Sequence, residues 1–231
     1  MTNNTSPISG EQPPITPEWD KIETVLLDMD GTLLDLHFDS HFWLEHLPLR
    51  YAELHKLDQA SAKDHVLTAI KSQQGTLNWY SLDYWTERFQ LDIMALKQEV
   101  QHLIGFRSDA KHLLEFLQQH KARVVLATNA DQNSLALKLP PTGLDQLVDD
   151  IVSSAELGIA KEDPAFWQAL QEKVSYNPAT TLLIDDNEQV LDSAQAFGIR
   201  YLYTIMQPDM QSPERSVTRY PGVKTFNQIT S

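Results

Sequence analysis

The chain has no cysteine among its 231 residues. Disulfide bonds, zinc–thiolate sites, iron–sulfur clusters and thiol nucleophiles are therefore excluded. Basic residues are also scarce: 18 lysines and arginines stand against 32 aspartates and glutamates, and the formal net charge is −14 at pH 7. Because nucleic acids and anionic lipids are bound through clustered positive charge, this balance argues against both as partners.

Long apolar runs are missing as well. No segment reaches the roughly 18 consecutive apolar residues needed to span a bilayer, so no membrane span is expected. The first 20 residues contain no lysine or arginine and no apolar centre, which is not typical of a secretory signal. Their serine, threonine, asparagine and proline content predicts a flexible tail over residues 1–19. We expect a cytoplasmic protein, and no pattern indicates its oligomeric state.

Five short apolar runs have the composition of β-strands. They cover residues 23–28, 122–128, 148–153, 180–185 and 199–205. Three of these runs lack a clear polar–apolar alternation, as expected for parallel strands that are covered on both faces. Helical patterns lie between the later runs. This alternation predicts an α/β fold with a doubly wound, mostly parallel, Rossmann-like sheet.

Capping residues mark the ends of several predicted helices. Ser108 is predicted to cap a helix over about 109–120, and a second helix is predicted to begin at Asp131 and end at Pro140-Pro141. A third helix is predicted to begin at Asp163-Pro164, and a fourth, over 187–197, is predicted to end at Gly198.

The first two strands are about 90 residues apart, far more than one crossover helix requires. Residues 36–106 contain amphipathic helix patterns and no convincing strand. We therefore predict a helical second domain over 36–106, inserted into an α/β core of residues 20–35 and 107–231.

The segment LLDMDGTLLD at residues 26–35 carries the sharpest chemical signal. Asp28 ends a buried strand, and Asp30 follows in the turn. Gly31 permits a tight bend and a close approach of the backbone to a ligand. In an open α/β sheet, ligands bind beyond the carboxyl ends of the strands, so we expect both aspartates to face a ligand.

Polar residues follow two other strands and should meet Asp28 at the same sheet edge. They are Thr128-Asn129 and Asp185-Asp186, with Lys161 in a nearby loop. Carboxylates about 4 Å apart repel each other by roughly 4 kcal/mol at an effective dielectric constant of 20, so a cation is needed. Oxygen ligands without histidine or cysteine favour Mg²⁺. With Lys161 and a threonine hydroxyl, the edge forms a phosphate-type anion site in which Asp28 can act as a nucleophile.

Four segments, in order, resemble the motifs of the haloacid dehalogenase (HAD) superfamily: DMDGT at 28–32, LATN at 126–129, Lys161, and IDDN at 184–187. The resemblance covers about residues 20–205. Within the superfamily, LLDMDGTLLDL, TLNWYSLDYW and KEDPAFW are similar to bacterial GMP/IMP nucleotidases. One departure is that Glu162 and Asp163 follow the lysine where many relatives have proline.

The resemblance implies a HAD core with a helical cap and a set of roles. Asp28 attacks phosphorus and forms an aspartyl-phosphate. Asp30 protonates the leaving oxygen and later takes a proton from water. Lys161 completes the catalytic set. Phosphoryl oxygens are bound by Gly31, Thr128, the Asn129 backbone and Lys161.

The resemblance also implies a Mg²⁺ cofactor. Its expected ligands are Asp28, the backbone carbonyl of Asp30, and Asp186. Asp185 either binds the ion directly or supports it through water.

The implied substrate is a small phosphomonoester, first of all a purine nucleoside monophosphate such as GMP or IMP. A sugar-phosphate phosphatase or phosphomutase shares the same motifs and remains an alternative. A haloacid dehalogenase lacks the acid two residues after the nucleophile, so Asp30 argues against that chemistry. A non-catalytic binding protein with this fold would be expected to have a broken motif, and none is broken.

Residues beside the buried stripe of the predicted 82–89 helix are candidates for substrate selection. They are Trp79, Tyr80, Asp83 and Tyr84. The aromatic rings of Trp79, Tyr80 and Tyr84 can stack on a purine. Asp83 can accept a hydrogen bond from the N1–H group that guanine and hypoxanthine have and adenine lacks. These four residues face either the cleft or the outer side of the helical domain.

Overall fold

Six strands form one parallel sheet in the computed structural model, which describes residues 16–217 and 219–230. The strands are β1 (Thr24–Leu27), β2 (Arg123–Thr128), β3 (Asp150–Ser153), β4 (Thr181–Asp185), β5 (Tyr201–Ile205) and β6 (Gly222–Val223). Their order across the sheet is β3-β2-β1-β4-β5-β6, and all neighbours run parallel. The predicted doubly wound α/β sheet is confirmed. The two-residue strand β6 was too short to be predicted.

The centre of the sheet is apolar on both faces. In β1, Val25 and Leu27 pack into one apolar cluster, and Leu26 packs into the cluster on the other face. This explains why the central strands show continuous aliphatic runs, because a parallel sheet is covered by helices on both sides. β1 lies between β2 and β4, so the residues that follow these three strands meet at one edge.

The described part of the chain contains the following α-helices: α1 (His37–His41), α2 (Leu47–His55), α3 (Gln59–Ser72), α4 (Leu77–Tyr80), α5 (Leu82–Phe89), α6 (Ile93–Glu99), α7 (Ala110–Gln119), α8 (Gln132–Thr142), α9 (Ser154–Leu157), α10 (Pro164–Val174), α11 (Glu188–Phe197) and α12 (Asn227–Thr230). Short 3-10 helices cover Trp19–Lys21, Gln101–Leu103, Leu144–Gln146 and Pro178–Thr180, and a turn of π-helix, Phe42–His46, joins α1 to α2.

Helices α7 and α12 cover one face of the sheet, and α10 and α11 cover the other. Leu113 and Leu117 of α7 join the cluster that contains Val25. Phe166 and Trp167 of α10 join the opposite cluster. A sheet with helices on both faces leaves its strand ends as the open edge for a ligand.

Most predicted helix ends are confirmed. Asp131, Asp163 and Asn187 each accept a backbone hydrogen bond at the start of α8, α10 and α11. Gly198 ends α11 in the left-handed conformation, at φ +110°. Such caps satisfy backbone groups that have no partner within the helix.

Two predicted ends are wrong. The N-cap position of α7 is Asp109 rather than Ser108, and its side chain makes no capping hydrogen bond. The prolines at 140 and 141 do not stop α8, which continues to Thr142 and ends at Gly143 with φ +63°. Proline is most damaging in a helix interior, where it removes a bond and clashes with the preceding turn. Here both prolines lie in the last turn, and the glycine supplies the stop.

Residues 36–106, which we call the helical insertion, contain α1 to α6 and no strand pair of the main sheet. They form a separate apolar cluster around Phe42, Val66, Trp85 and Phe89. Leu137 of α8, a helix of the core, also belongs to this cluster. The division into a core and an inserted domain stays a prediction.

Part of the predicted N-terminal tail, residues 1–15, lies outside the described residues. Trp19 packs edge-on against Phe116 at 4.9 Å between ring centroids, and its indole N–H donates to the carbonyl of Ile229. In the described part of the chain, no helix is both long and apolar enough to cross a membrane. The cytoplasmic location stays a prediction.

Candidate active site

Lys161 holds two aspartates together at the open edge of the sheet. Asp28 follows β1, Asp185 ends β4, and Lys161 lies in the loop before α10. The Lys161 ammonium lies 2.6 Å from Asp28 Oδ1 and 2.7 Å from Asp185 Oδ2, and donates to the carbonyl of Ala127 at 2.9 Å. Its three N–H donors therefore have three acceptors, although the side chain is only 2% exposed. We call these residues the Lys161 cluster.

Burial governs the charges in the Lys161 cluster. It raises the pKa of Asp28 to about 6, while Lys161 acts in the opposite direction. Burial alone would lower the pKa of Lys161, but Asp185 and Asp28 raise it above its ordinary value. Lys161 is therefore charged at neutral pH. Asp28, whose pKa is about 6, is more often ionised than protonated there.

A third carboxylate completes an acidic site that can hold a metal ion. One oxygen each of Asp28, Asp185 and Asp186 lie within 4.8 Å of one another. Burial, together with the charges of Asp28 and Asp185, raises the pKa of Asp186 well above its ordinary value. A bound divalent cation would offset this repulsion, and an all-oxygen set suits Mg²⁺. The residues therefore fit the predicted ion.

The two oxygens of Asp185 already have protein donors. Oδ1 accepts from the backbone N–H of Asn187 at 2.8 Å, and Oδ2 accepts from Lys161. Asp28 uses only Oδ1 for Lys161. This difference favours Asp28 and Asp186 as direct ligands of an ion, with Asp185 in a supporting position.

Gly31 brings the loop after β1 against the acidic site. Its φ of +83° lies in the left-handed region, and a Cβ atom built there would lie 2.8 Å from Asp186 Oδ2. A side chain would therefore displace a carboxylate of the acidic site. This contact accounts for glycine at position 31 independently of any phosphate that the loop binds.

The predicted phosphate-binding residues after β2 are also brought to the site. Thr128 is buried, and its Oγ1 accepts from the backbone N–H of Ala130 at 3.0 Å. The Asn129 side chain accepts from the Lys161 backbone N–H at 3.0 Å. The loops after β2 and before α10 thus fix each other, and Thr128 keeps its hydroxyl proton for another acceptor.

Glu162 joins three segments, although in the sequence it stands out only as a departure from the proline that many relatives have after the lysine. Its carboxylate accepts from the Tyr80 hydroxyl at 2.6 Å, from Asn129 Nδ2 at 3.0 Å and from Asn187 Nδ2 at 3.2 Å. Burial, with a further contribution from Glu162, raises the pKa of Tyr80 above its ordinary value. Tyr80 belongs to the helical insertion, so Glu162 links the insertion to two loops of the site.

A second buried lysine holds Asp30, and no sequence signal pointed to it. Lys138 of α8 lies 2.7 Å from Asp30 Oδ1 and 2.6 Å from Asp39 Oδ2. Lys97 of α6 lies 2.6 Å from Asp39 Oδ1. Buried lysines are rare unless they are paired, so Lys97 and Lys138 are assigned to solvent by sequence alone. We call these four residues the Lys138 cluster.

Burial also raises the pKa of Asp30 to about 6, against the opposing charge of Lys138. A carboxyl with such a pKa can both give and accept a proton near neutral pH. Asp39 behaves differently: burial disfavours its charge, but Lys138 and Lys97 together hold its pKa below the ordinary value.

Both clusters open into one cavity of about 590 Å³ between the core and the helical insertion. Of the four predicted substrate-selecting residues, Trp79 and Tyr80 line it. Trp43 and Leu44 of the insertion line it as well, and so does Arg215 of the core. None of these three was predicted, because their positions depend on how segments distant in sequence pack.

The structure does not bring Asp83 and Tyr84 to this cavity. Asp83 is exposed and accepts a hydrogen bond from Asn133 Nδ2 at 3.0 Å. Tyr84 packs edge-on against Trp85, with ring centroids 4.9 Å apart. Helix α5 buries Leu82, and the next residues along a helix point away from that face. The predicted base contact of Asp83 is not supported by this geometry.

Known proteins resemble this chain in sequence and in fold. A family model described as haloacid dehalogenase-like hydrolase matches residues 22–198. Over 211 residues, the chain is 38% identical to the GMP/IMP nucleotidase YrfG of Escherichia coli (strain K12), with 91% of this chain and 95% of that protein covered. It is 21% identical over 192 residues to the phosphorylated carbohydrates phosphatase of Thermotoga maritima, with 80% and 86% covered.

Among solved structures, the HAD phosphatase from Thermococcus onnurineus matches with a TM-score of 0.73 at 17% identity, covering 90% of this chain and 95% of that chain. This likeness supports the fold. The family match extends over the strands and loops that carry both clusters. The prediction of a hydrolytic enzyme related to phosphatases is confirmed: the chain belongs to the haloacid dehalogenase-like hydrolase family.

Proposed function

We propose that the chain is a Mg²⁺-dependent phosphomonoester hydrolase that acts on purine nucleoside monophosphates such as GMP and IMP. The main support is that Asp28, Asp30 and Lys161 line one cavity, which also contains the acidic site of Asp28, Asp185 and Asp186. The 38% identity to a protein named as a GMP/IMP nucleotidase supports the nucleotide as substrate.

In the first half of the proposed reaction, a carboxylate oxygen of Asp28 forms a bond to phosphorus. The ester oxygen leaves with the electron pair of the P–O bond and takes a proton from Asp30. The products of this half are a nucleoside and an aspartyl-phosphate on Asp28. Lys161 and the Thr128 hydroxyl lie where they can bind the phosphoryl oxygens.

In the second half, Asp30 takes a proton from a water molecule, whose oxygen attacks phosphorus. The bond between phosphorus and Asp28 breaks, and inorganic phosphate leaves. Asp30 ends protonated, as it began, and Asp28 ends as a carboxylate. One carboxyl can serve both halves because its raised pKa permits either protonation state near neutral pH.

Asp28 and Asp186 would hold the ion, with Asp185 in support. When bound, Mg²⁺ supplies positive charge that neutralises the carboxylates and draws electron density from the phosphoryl oxygens. The protein's own contribution is to hold Lys161, which keeps Asp28 and Asp185 in place before a substrate arrives.

The insertion side of the cavity supports a base rather than a short polar substrate. Trp43, Leu44 and Trp79 line this side. Stacking of a base on an aromatic side chain contributes about 1–3 kcal/mol in other proteins. A nucleoside monophosphate has a planar base that can use these rings, while its phosphate lies at the sheet edge.

A phosphate-release assay tests the proposal directly. The panel consists of GMP, IMP, AMP, CMP, UMP and several sugar phosphates, each measured with Mg²⁺, with Ca²⁺ and after chelation. We expect GMP and IMP to give the highest kcat/KM with Mg²⁺, and little activity with Ca²⁺, which tolerates longer and less regular coordination. Activity that survives complete chelation would exclude the metal-dependent mechanism.

A sugar-phosphate phosphatase is the second candidate, supported by the likeness to the phosphorylated carbohydrates phosphatase. Higher kcat/KM for sugar phosphates than for every nucleotide would favour it. No release from any substrate of the panel would instead favour a binding protein that retains the fold.

A further inference from the structure

We propose that Lys138 positions the Asp30 carboxyl for proton transfer, and that Asp39 and Lys97 of the helical insertion in turn hold Lys138. This inference rests on the proposed phosphatase function and assigns three residues to it that no motif contains. Lys138, Asp39 and Lys97 are positioning residues, since they act on the reaction through Asp30.

Asp30 lines the cavity and contacts Lys138. Its side chain is 22% exposed, and the Lys138 ammonium, which also lines the cavity, lies 2.7 Å from its Oδ1. Among the described residues, no other positively charged group lies within ion-pair distance of Asp30. Proton transfer to a leaving oxygen requires the donor within about 2.6–3.2 Å of that oxygen. A carboxyl in a loop keeps such a position only when a second group holds it.

Lys138 is itself held by several groups. Its side chain is 3% exposed, and its ammonium lies between Asp30 and Asp39. It also lies 5.4 Å from the centre of the Phe38 ring. Two carboxylates and a ring leave a buried ammonium little freedom. Lys138 can therefore act as a fixed point for Asp30 rather than as a mobile surface charge.

Asp39 connects Lys138 to the packed helical insertion. Asp39 gives one oxygen to Lys138 and the other to Lys97. Lys97 is 2% exposed and lies over the rings of Phe38 and Phe42, 4.7 and 4.8 Å from their centres. A cation over several ring faces is held by their electron density. The ion pairs thus run from the packed insertion to the loop after β1.

The arrangement joins separate parts of the chain. Asp39 lies on α1 and Lys97 on α6, both in the helical insertion, whereas Lys138 lies on α8 of the core. Leu137, beside Lys138, packs into the apolar cluster of the insertion. A shift of the insertion relative to α8 would therefore change the contacts that orient Asp30, while the Lys161 cluster, built from core loops, would keep its own.

The test compares two substrates that differ in their need for a proton. The leaving group of IMP is the 5′-alkoxide of its nucleoside, which needs a proton, whereas 2,4-dinitrophenyl phosphate releases a stable phenolate that needs none. The quantity compared is kcat/KM, because it reports the steps up to formation of the aspartyl-phosphate and not its later hydrolysis. For Lys138→Met, we expect a loss of about 10²-fold with IMP and of less than about threefold with the dinitrophenyl ester.

A double variant separates positioning from a merely structural role. If Lys138 acts through Asp30, then Lys138→Met should cause no further loss with IMP in a protein that already carries Asp30→Asn. Equal losses on both substrates, or fully additive losses in the double variant, would overturn the proposal. They would indicate that Lys138 contacts the phosphoryl group or only supports the fold.

Two further variants keep the test valid if Lys138→Met does not fold, since removing one partner of a buried ion pair is costly. Asp39→Asn keeps the shape of the side chain and should lower kcat/KM for IMP by about tenfold with little effect on the ester. Lys97→Met should show the same direction with a smaller loss. Lys173→Met, which removes an exposed lysine paired with Glu156, is the matched control and should change neither value.

The outcomes also distinguish the two proposals. A wild-type protein that releases no phosphate from either substrate refutes the proposed function. A wild-type protein that is active, with variants that lose the same factor on both substrates, refutes only the positioning role.

Discussion

Lys161 and Lys138 are both buried lysines, and each lies between two aspartates. The partners of Lys161 follow neighbouring strands of the sheet, whereas Asp39, one partner of Lys138, belongs to the helical insertion. The first cluster is therefore determined by strand order. The second forms only when the insertion packs on α8. We infer that the core cluster supports the bond-making chemistry and that the cluster shared with the insertion controls the proton.

The largest effect should come from Asp28, the proposed nucleophile in the Lys161 cluster. Asp28→Asn should reduce phosphate release to background with every substrate, because an amide is neither a nucleophile of this kind nor a good Mg²⁺ ligand. Circular dichroism should show an unchanged fold, since the side chain keeps its shape. Normal turnover by a folded variant would contradict the assignment and remove the contrast between the two clusters.

A smaller loss should follow from replacing Asp30, the proposed acid in the Lys138 cluster. Asp30→Asn should lower kcat/KM for IMP by about 10²–10⁴-fold, because general acid catalysis contributes on this scale. With 2,4-dinitrophenyl phosphate, the loss in kcat/KM should be much smaller. With this ester, the aspartyl-phosphate should accumulate in rapid-quench experiments, since its formation is fast and its hydrolysis uses Asp30 in the proposed mechanism. Parent rates with both substrates would show that Asp30 transfers no proton.

The acidic site should destabilise the metal-free protein at neutral pH. Asp186 has a raised pKa because it is buried beside Asp28 and Asp185, so the folded state binds more protons than the unfolded state. Its contribution to stability is therefore favourable at acidic pH and is lost as the pH rises through the raised pKa. Asp186→Asn removes this pH dependence, so the metal-free variant should melt about 2–4 °C above the parent at pH 7.

Thermal unfolding with and without Mg²⁺ measures this effect. Millimolar Mg²⁺ should raise the Tm of the parent, because a ligand that binds only the folded state stabilises it. The Asp186→Asn variant should show a much smaller rise. An equal rise in both proteins would mean that Asp186 does not hold the ion.

The smallest effects are expected in the insertion, where two neighbouring residues offer a matched pair. Tyr80→Phe removes the hydrogen bond to Glu162 and should lower kcat/KM for GMP and IMP by about tenfold or less, because other contacts still join the insertion to the core. Asp83→Ala should change kcat/KM for no substrate, since Asp83 lies outside the cavity. A loss specific to GMP and IMP in Asp83→Ala would restore its predicted contact with the base.

The parts that were predicted correctly follow from local patterns. Aliphatic runs of four to six residues mark β1, β2 and β4 because a strand buried on both faces can contain little else. Asp163-Pro164 marks the start of α10 because the side-chain oxygen of Asp163 can cap a helix and the missing N–H of Pro164 is not needed in the first turn. The position of Asp28 beside Asp185 then follows from parallel strands that end at one edge.

The parts that were missed depend on contacts between distant segments. A lone lysine in a helix gives no local signal of burial, so Lys97 and Lys138 could not be separated from surface lysines. The sequence indicated Trp79 and Asp83 equally as substrate-selecting residues. The orientation of α4 and α5 against the core places Trp79 in the cavity and Asp83 in solvent.

The sequence by itself determined the parallel sheet and the meeting of Asp28, Lys161 and the paired aspartates at its edge. Strand order and the alternation of side chains leave few other arrangements of these residues. The tertiary structure alone decided which side chains the helical insertion presents to the cavity and which lysine holds Asp30. The physical reason is that a buried charge is stable only when it is paired. Asp39 and Lys138 are 99 residues apart in the sequence, and they pair because the insertion packs on α8.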